Sequence, residues 1–190
     1  MLSRNTVVAS ALLAASAFAQ AEPVAYTVDP THTSVTSESR HFGTSTTRSH
    51  FMAKSGDITI DPTARTGTAD IVIDVTSAQT GVAKLDAHLK TDSFFDAVAY
   101  PEARFTATSF QFDGDKVTQI AGNLTMHGKT NPITLKATNY NCYMSPGFKK
   151  QVCGGDFETT IQRSLWDMKY LIPLVSDETK LTVQIEATKN

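Results

Sequence analysis

The sequence predicts an all-β domain, a barrel or a sandwich of antiparallel strands with one short helical connector. Three observations carry this. Apolar residues alternate at period two through most of the chain, turn-forming clusters separate the runs at regular intervals, and a single stretch has helical spacing. One dry and one wet face per strand is the antiparallel habit.

The chain opens with an export signal. Arg4 supplies the positive n-region, Val7 to Phe18 forms an apolar run, and Ala19-Gln20-Ala21 is a small-x-small cleavage site. The run is too short to cross about 30 Å of hydrocarbon as an anchor. Residues 1–21 are therefore expected to be removed, leaving residues 22–190 as one domain. No cysteine adjoins the cut, so a soluble product is expected. Loss of Arg4 makes the formal net charge of −2 one unit more negative, which disfavours nucleic acid and anionic membranes as partners.

Within the domain, the Ser/Thr-rich stretch from Thr31 to Ser49 is weakest for burial, with Val35 and Phe42 giving a partial apolar face. It reads as an edge pair or as a bulged, solvated part of the wall. After the Asp61-Pro62 turn, Ala69, Ile71, Ile73 and Val75 share one face and Asp70 and Asp74 the other. The stretch from about Gly81 to Asp96 breaks this rhythm. Leu85 and Leu89 lie one helical turn apart, and Asp92 or Ser93 could cap a further turn presenting Phe94 and Phe95. Alternation resumes through Ile120, Gly122, Leu124 and Met126, then Ile133, Leu135 and Ala137, and finally Leu181, Val183, Ile185 and Ala187. Asp113-Gly114-Asp115, His127-Gly128 and Gly154-Gly155 read as the intervening turns. Cys142 and Cys153 flank the turn-forming Ser145-Pro146-Gly147, and in an exported chain this reads as a disulfide across a hairpin. A redox-active or metal-binding pair is the other reading, but the spacing is not C-x-x-C.

Motifs of enzyme chemistry are absent: there is no G-x-S-x-G, H-E-x-x-H or phosphate-binding glycine loop. His32, His41, His50, His88 and His127 fall in separate segments, unlike the clustered ligands of a metal site. Asp86, Asp92 and Asp96 read as solvated charges. Aromatic residues, by contrast, recur in many strands. They either pack the core or line an interior that encloses one elongated ligand, and residue patterns leave both open.

The ordered series of motifs resembles the YceI-like family of bacterial periplasmic lipid-binding proteins. Tyr26-Thr27-Val28-Asp29-Pro30-Thr31-His32-Thr33-Ser34 is similar to that family's opening strand, followed by His41-Phe42-Gly43 and Gly56-Asp57-Ile58-Thr59-Ile60-Asp61. The connector Asp86-Ala87-His88-Leu89, Phe94-Phe95-Asp96 and Tyr100-Pro101-Glu102-Ala103-Arg104-Phe105 carries the most specific likeness. Leu124-Thr125-Met126-His127-Gly128-Lys129-Thr130 resembles the family hairpin, and Val175-Ser176-Asp177 precedes the last strand. The chain departs at Ser49-His50, where the family usually has glycine, and in its two cysteines, which suggest a subgroup with a stapled hairpin.

The resemblance implies a lipocalin-like antiparallel β-barrel of about eight strands with a short helical connector. It implies a periplasmic carrier that holds an isoprenoid lipid or quinone in its interior, without enzymatic activity or cofactor. The expected apolar lining is Phe42, Phe51, Ile71, Ile73, Phe94, Phe95, Phe105, Phe110, Leu124 and Trp166. His88, Arg163 and Lys169 are head-group candidates by residue type alone. Alternatives are an enzyme acting on a quinone-like or prenyl substrate through His88 or His127, and a stress-protective domain with a packed interior. No stable membrane insertion is expected, and a homodimer is left open.

Overall fold

The computed structural model describes residues 22–190; the expected leader lies outside the described residues. Nine strands are formed: β1 (Val24–Val28), β2 (Ser34–His41), β3 (Ser45–Asp61), β4 (Thr66–Asp74), β5 (Glu102–Asp113), β6 (Lys116–Met126), β7 (Lys129–Met144), β8 (Gln151–Gln162) and β9 (Val175–Lys189). One helix, α1 (Ala83–Leu89), and two 3-10 turns, Val75–Ser77 and Arg163–Trp166, complete the described elements.

All neighbours pair antiparallel, in the order β3-β2-β9-β8-β7-β6-β5-β4, and β4 returns to β3 to close a barrel. The ninth strand adds no ninth stave. β1 pairs with residues 57–60 of β3 and 187–189 of β9, whereas β2 pairs with residues 45–52 of β3 and 175–184 of β9. β1 and β2 are two halves of one stave, broken at Asp29–Thr33, so the barrel has eight positions. Closure removes the free edges that an open sheet would expose.

The predicted alternation appears in β6, where Gly122, Leu124 and Met126 are buried and Ile120 is half-buried, and β5 has the same habit, with Ala103, Phe105, Phe110 and Phe112 buried between exposed neighbours. The two-residue turn His127-Gly128 has both residues at positive φ, 50° and 70°, the geometry whose twist matches a hairpin. Gly154-Gly155, however, is not a turn. Both glycines lie inside β8, and a Cβ on either would stand 2.1 Å from a carbonyl oxygen, of Ile185 or Asn139 respectively. Glycine is required there because β7 and β9 crowd the β8 backbone. The turn itself is Ser145–Lys150, and Cys142 and Cys153 face each other across β7 and β8 as a disulfide.

The connector forms α1 but not the expected second helical turn. Asp86 folds back to accept hydrogen bonds from the Thr80 N–H and hydroxyl, both at 2.6 Å, which hold its carboxyl below the usual carboxylate range. Beyond Lys90 the chain makes tight turns, with the Phe95 N–H on the Leu89 carbonyl at 3.0 Å and Asp96 at φ 44°. Neither Asp92 nor Ser93 caps a helix; the Ser93 hydroxyl instead approaches Asp92.

Apolar burial falls into two clusters. The larger gathers Tyr26, Val28, Ile60, Phe110, Phe112 and Phe157 toward one end, and the smaller gathers Val75, Leu124, Met126, Ile161, Trp166 and Met168 toward the other. Between them the interior is not filled.

Candidate functional site

A cavity of about 410 Å³ occupies the barrel axis. That lies within the range of about 300–1,000 Å³ typical of ligand pockets, far above the about 30 Å³ share of one water. Its residues grade from exposed to buried. At one end the lining includes exposed His41 and His88 and half-buried Ser37, Ser39, Leu85 and Leu171; at the other it includes buried Tyr26, Cys153 and Ala187. The first end is the mouth and the second the closed end.

The mouth is built from the long connections. Phe95 of the connector meets Phe51 of β3 edge-on, with ring centroids 5.0 Å apart. Phe94 meets Tyr170, from the segment between β8 and β9, at 5.3 Å, and His88 packs against both rings. His88 thus sits among aromatic edges rather than beside a carboxylate. β2 and β3 supply a stripe of hydroxyls: Ser37 stands opposite Ser49, Ser39 stands opposite Thr47, and Ser39 bonds Thr179 at 2.9 Å. The Ser/Thr-rich stretch is therefore the wall of the mouth. Its inward positions Val35, Ser37, Ser39 and His41 already run from apolar to polar at period two, the signal by which sequence could have placed it.

Among the nominated residues, Phe51, Phe94 and Phe95 border the cavity near the mouth, and Ile71, Ile73, Phe105, Phe110 and Leu124 border it along the wall. Two do not. Phe42 is 55% exposed at the tip of the β2–β3 hairpin, where a positive φ turns the chain. Trp166 is 1% exposed but packs beside the barrel end in the smaller cluster, its indole N–H donating to the Leu124 carbonyl at 3.0 Å.

The head-group candidates separate as well. Lys169 is exposed and paired with Asp167. Arg163 borders the cavity but is 5% exposed, and its guanidinium is spent on backbone carbonyls: Met168 at 2.6 Å, Tyr170 at 2.8 Å, Ser176 at 2.9 Å and Val175 at 3.0 Å. Burial lowers its pKa and Asp177 opposes that. It is a clip that holds the 167–176 segment over the mouth. The remaining histidines are tied to neighbours. His32 bonds Asp29 at 2.8 Å, His50 approaches Thr36 at 3.3 Å, and His127 donates to the Trp166 carbonyl at 2.9 Å. Among the described residues no cluster of three His, Cys, Asp or Glu is placed to hold a metal ion. Asp70 pairs with Arg104 on the outer face, which lowers its pKa, and Asp74 caps the 3-10 turn through the Thr76 N–H. Among the described residues no helix is long and apolar enough to cross a membrane.

Closed antiparallel staves around an apolar, one-ended cavity define a ligand-enclosing barrel. The particular kind follows from comparison. The chain belongs to the YceI-like domain family, whose sequence pattern matches residues 26–187. It is 32% identical over 188 residues to a UPF0312 protein of Pseudomonas putida, covering 95% of this chain and 93% of that one. The fold is shared with Burkholderia cenocepacia BcnA, at a TM-score of 0.67 and 24% identity over 85% of this chain and 99% of that one. It is shared also with a polyisoprenoid binding domain from Saccharophagus degradans, at 0.63 and 16% over 88% and 99% respectively.

Proposed function

We propose that this chain is an exported, periplasmic carrier that holds a long apolar isoprenoid lipid, polyprenyl or quinone in type, inside the barrel, and that it is not an enzyme. The observation that carries this is the cavity. Water in an apolar space of about 410 Å³ finds few hydrogen-bond partners, so the wall forfeits the transfer energy that apolar contact would supply. An apolar occupant recovers that energy, at about 0.8 kcal/mol per buried methylene. The domain that shares this fold in Saccharophagus degradans is named for polyisoprenoid binding, which supports the same ligand class here. Export supports the compartment, since the N-terminal segment has the composition of a cleaved signal.

Native mass spectrometry of protein exported in a bacterial host and purified without detergent tests the reading. The expected result is a mature chain beginning at Glu22 with a co-purifying lipid whose extracted mass follows a five-carbon repeat. A chain that is ligand-free and takes up no added prenyl lipid would overturn it.

A further inference from the structure

The closed end of the cavity carries two phenols, one in the core cluster and one packed against it. Tyr26 from β1 and Tyr140 from β7 both border the cavity beside the disulfide. The Tyr26 hydroxyl donates to Gln151 Oε1 at 3.2 Å, so its proton is committed. The Tyr140 hydroxyl is different: its polar neighbour is Cys142 Sγ at 3.8 Å, and a bridged sulfur has no proton to give and is a weak acceptor. Tyr140 is half-buried, and a phenol on an apolar wall normally finds an oxygen or nitrogen partner. Gly155 stands directly opposite Tyr140 on β8, so no side chain from that position partners the phenol.

We propose that this end is a binding subsite for an uncharged hydrogen-bond-accepting group of the ligand, a hydroxyl or ring carbonyl, gripped by the Tyr140 hydroxyl. The inference rests on the lipid-carrier reading and adds the ligand's polar chemistry and its orientation, polar end inward. Charge argues for the uncharged class. Apart from the two histidines at the mouth, Arg163 is the only ionisable cation among the described lining residues, and its guanidinium is spent on carbonyls. A phosphate at the closed end would be buried without a counter-ion, which is far costlier than a neutral group. Tyr140 suits a neutral acceptor, since burial and the neighbouring Tyr26 push its pKa up to about 12 and keep it a donor.

Isothermal titration of delipidated protein with farnesol, farnesene and farnesyl monophosphate separates the cases. Tyr140→Phe is expected to weaken farnesol about tenfold, or 1.4 kcal/mol, and to leave farnesene within about twofold. Tyr26→Phe should move farnesol less than about threefold, because that proton is already spent, and the phosphate should bind wild type more weakly than farnesol. Should Tyr140→Phe melt, wild type alone gives the answer: farnesyl methyl ether, which can only accept a hydrogen bond, should bind within about threefold of farnesol, and farnesene about tenfold more weakly. If all three probes bind and Tyr140→Phe changes none of them, the subsite is wrong while the carrier reading stands. A phosphate that binds as tightly as farnesol refutes the uncharged class. If neither farnesol nor farnesene binds wild type, both the subsite and the carrier reading fall.

Discussion

Replacing Arg163 with Met tests whether the mouth is held by a buried cation. Methionine keeps most of the apolar stem and deletes the guanidinium, leaving the carbonyls of Met168, Tyr170, Val175 and Ser176 without their donor. A hydrogen bond to a charged group contributes about 1.5–3 kcal/mol, so four sum to roughly 6–12 kcal/mol gross. The cation no longer has to be desolvated, which returns several kcal/mol of this and leaves a net loss of about 4 kcal/mol. With a urea slope of about 2 kcal/mol per M, the unfolding midpoint should fall by roughly 2 M. Amide exchange should quicken across residues 167–176, because the segment loses its clip. Arg163→Lys should fall between, since an ammonium cannot reach four divergent carbonyls. A stability loss under about 1 kcal/mol, with unchanged protection of that segment, would refute the clip.

Three further outcomes follow from the same geometry. Replacing Cys142 and Cys153 together by Ala should cost about 3 kcal/mol, read from the urea midpoint, and an unchanged midpoint would show that the staple adds nothing. Phe94→Ala with Phe95→Ala should lower co-purified lipid at least tenfold while the barrel stays folded; each ring is half-buried, so roughly half of the about 3–5 kcal/mol of a buried Phe is at stake. In alkali, the raised Tyr140 pKa favours the protonated folded state, so its contribution is present below about pH 10 and lost as pH rises toward about 12. Discounted for cavity exposure this is about 1 kcal/mol. It should appear as a steeper loss of melting temperature in wild type than in Tyr140→Phe, and parallel curves would count against it.

How far sequence could reach depended on whether a feature is local. Alternation in β5 and β6 and the paired positive-φ turn His127-Gly128 are written in consecutive residues, so the strands and that turn were legible. Gly154-Gly155 carries the same local mark as a turn, yet its glycines answer to crowding by β7 and β9, which are distant in sequence. The broken stave could not be read for a related reason, since only pairing with β3 and β9 shows that β1 and β2 share one position. Aromatic type reaches part of the cavity wall but cannot distinguish Phe105, which borders the cavity, from Phe42, which a hairpin tip turns to solvent. Arg163 stands out in the sequence by its charge alone, because its carbonyl partners come from a segment whose path no pattern specifies.

The two ends of the barrel differ because their connections differ. At the closed end β5–β6 and β7–β8 are joined by short hairpin turns, and the disulfide ties β7 to β8 close to the cavity floor. At the mouth the chain spends residues 75–101 and 163–174 outside the strands, and these carry α1, Phe94, Phe95, Tyr170 and Leu171. Passage between staves would break a hydrogen-bonded ladder such as β8–β9, which is continuous from Val152 to Gln162. Parting the mouth leaves every ladder intact: the 75–101 connector gives up side-chain contacts and a few turn hydrogen bonds, the kind of local opening that folded domains readily undergo, while the 167–176 segment stays on the Arg163 clip. On the carrier reading proposed above, ligand exchange belongs to the long segments at the mouth and ligand identity to the floor. A substitution at Phe94 should change how fast a lipid leaves, whereas one at Tyr140 should change which lipid is kept.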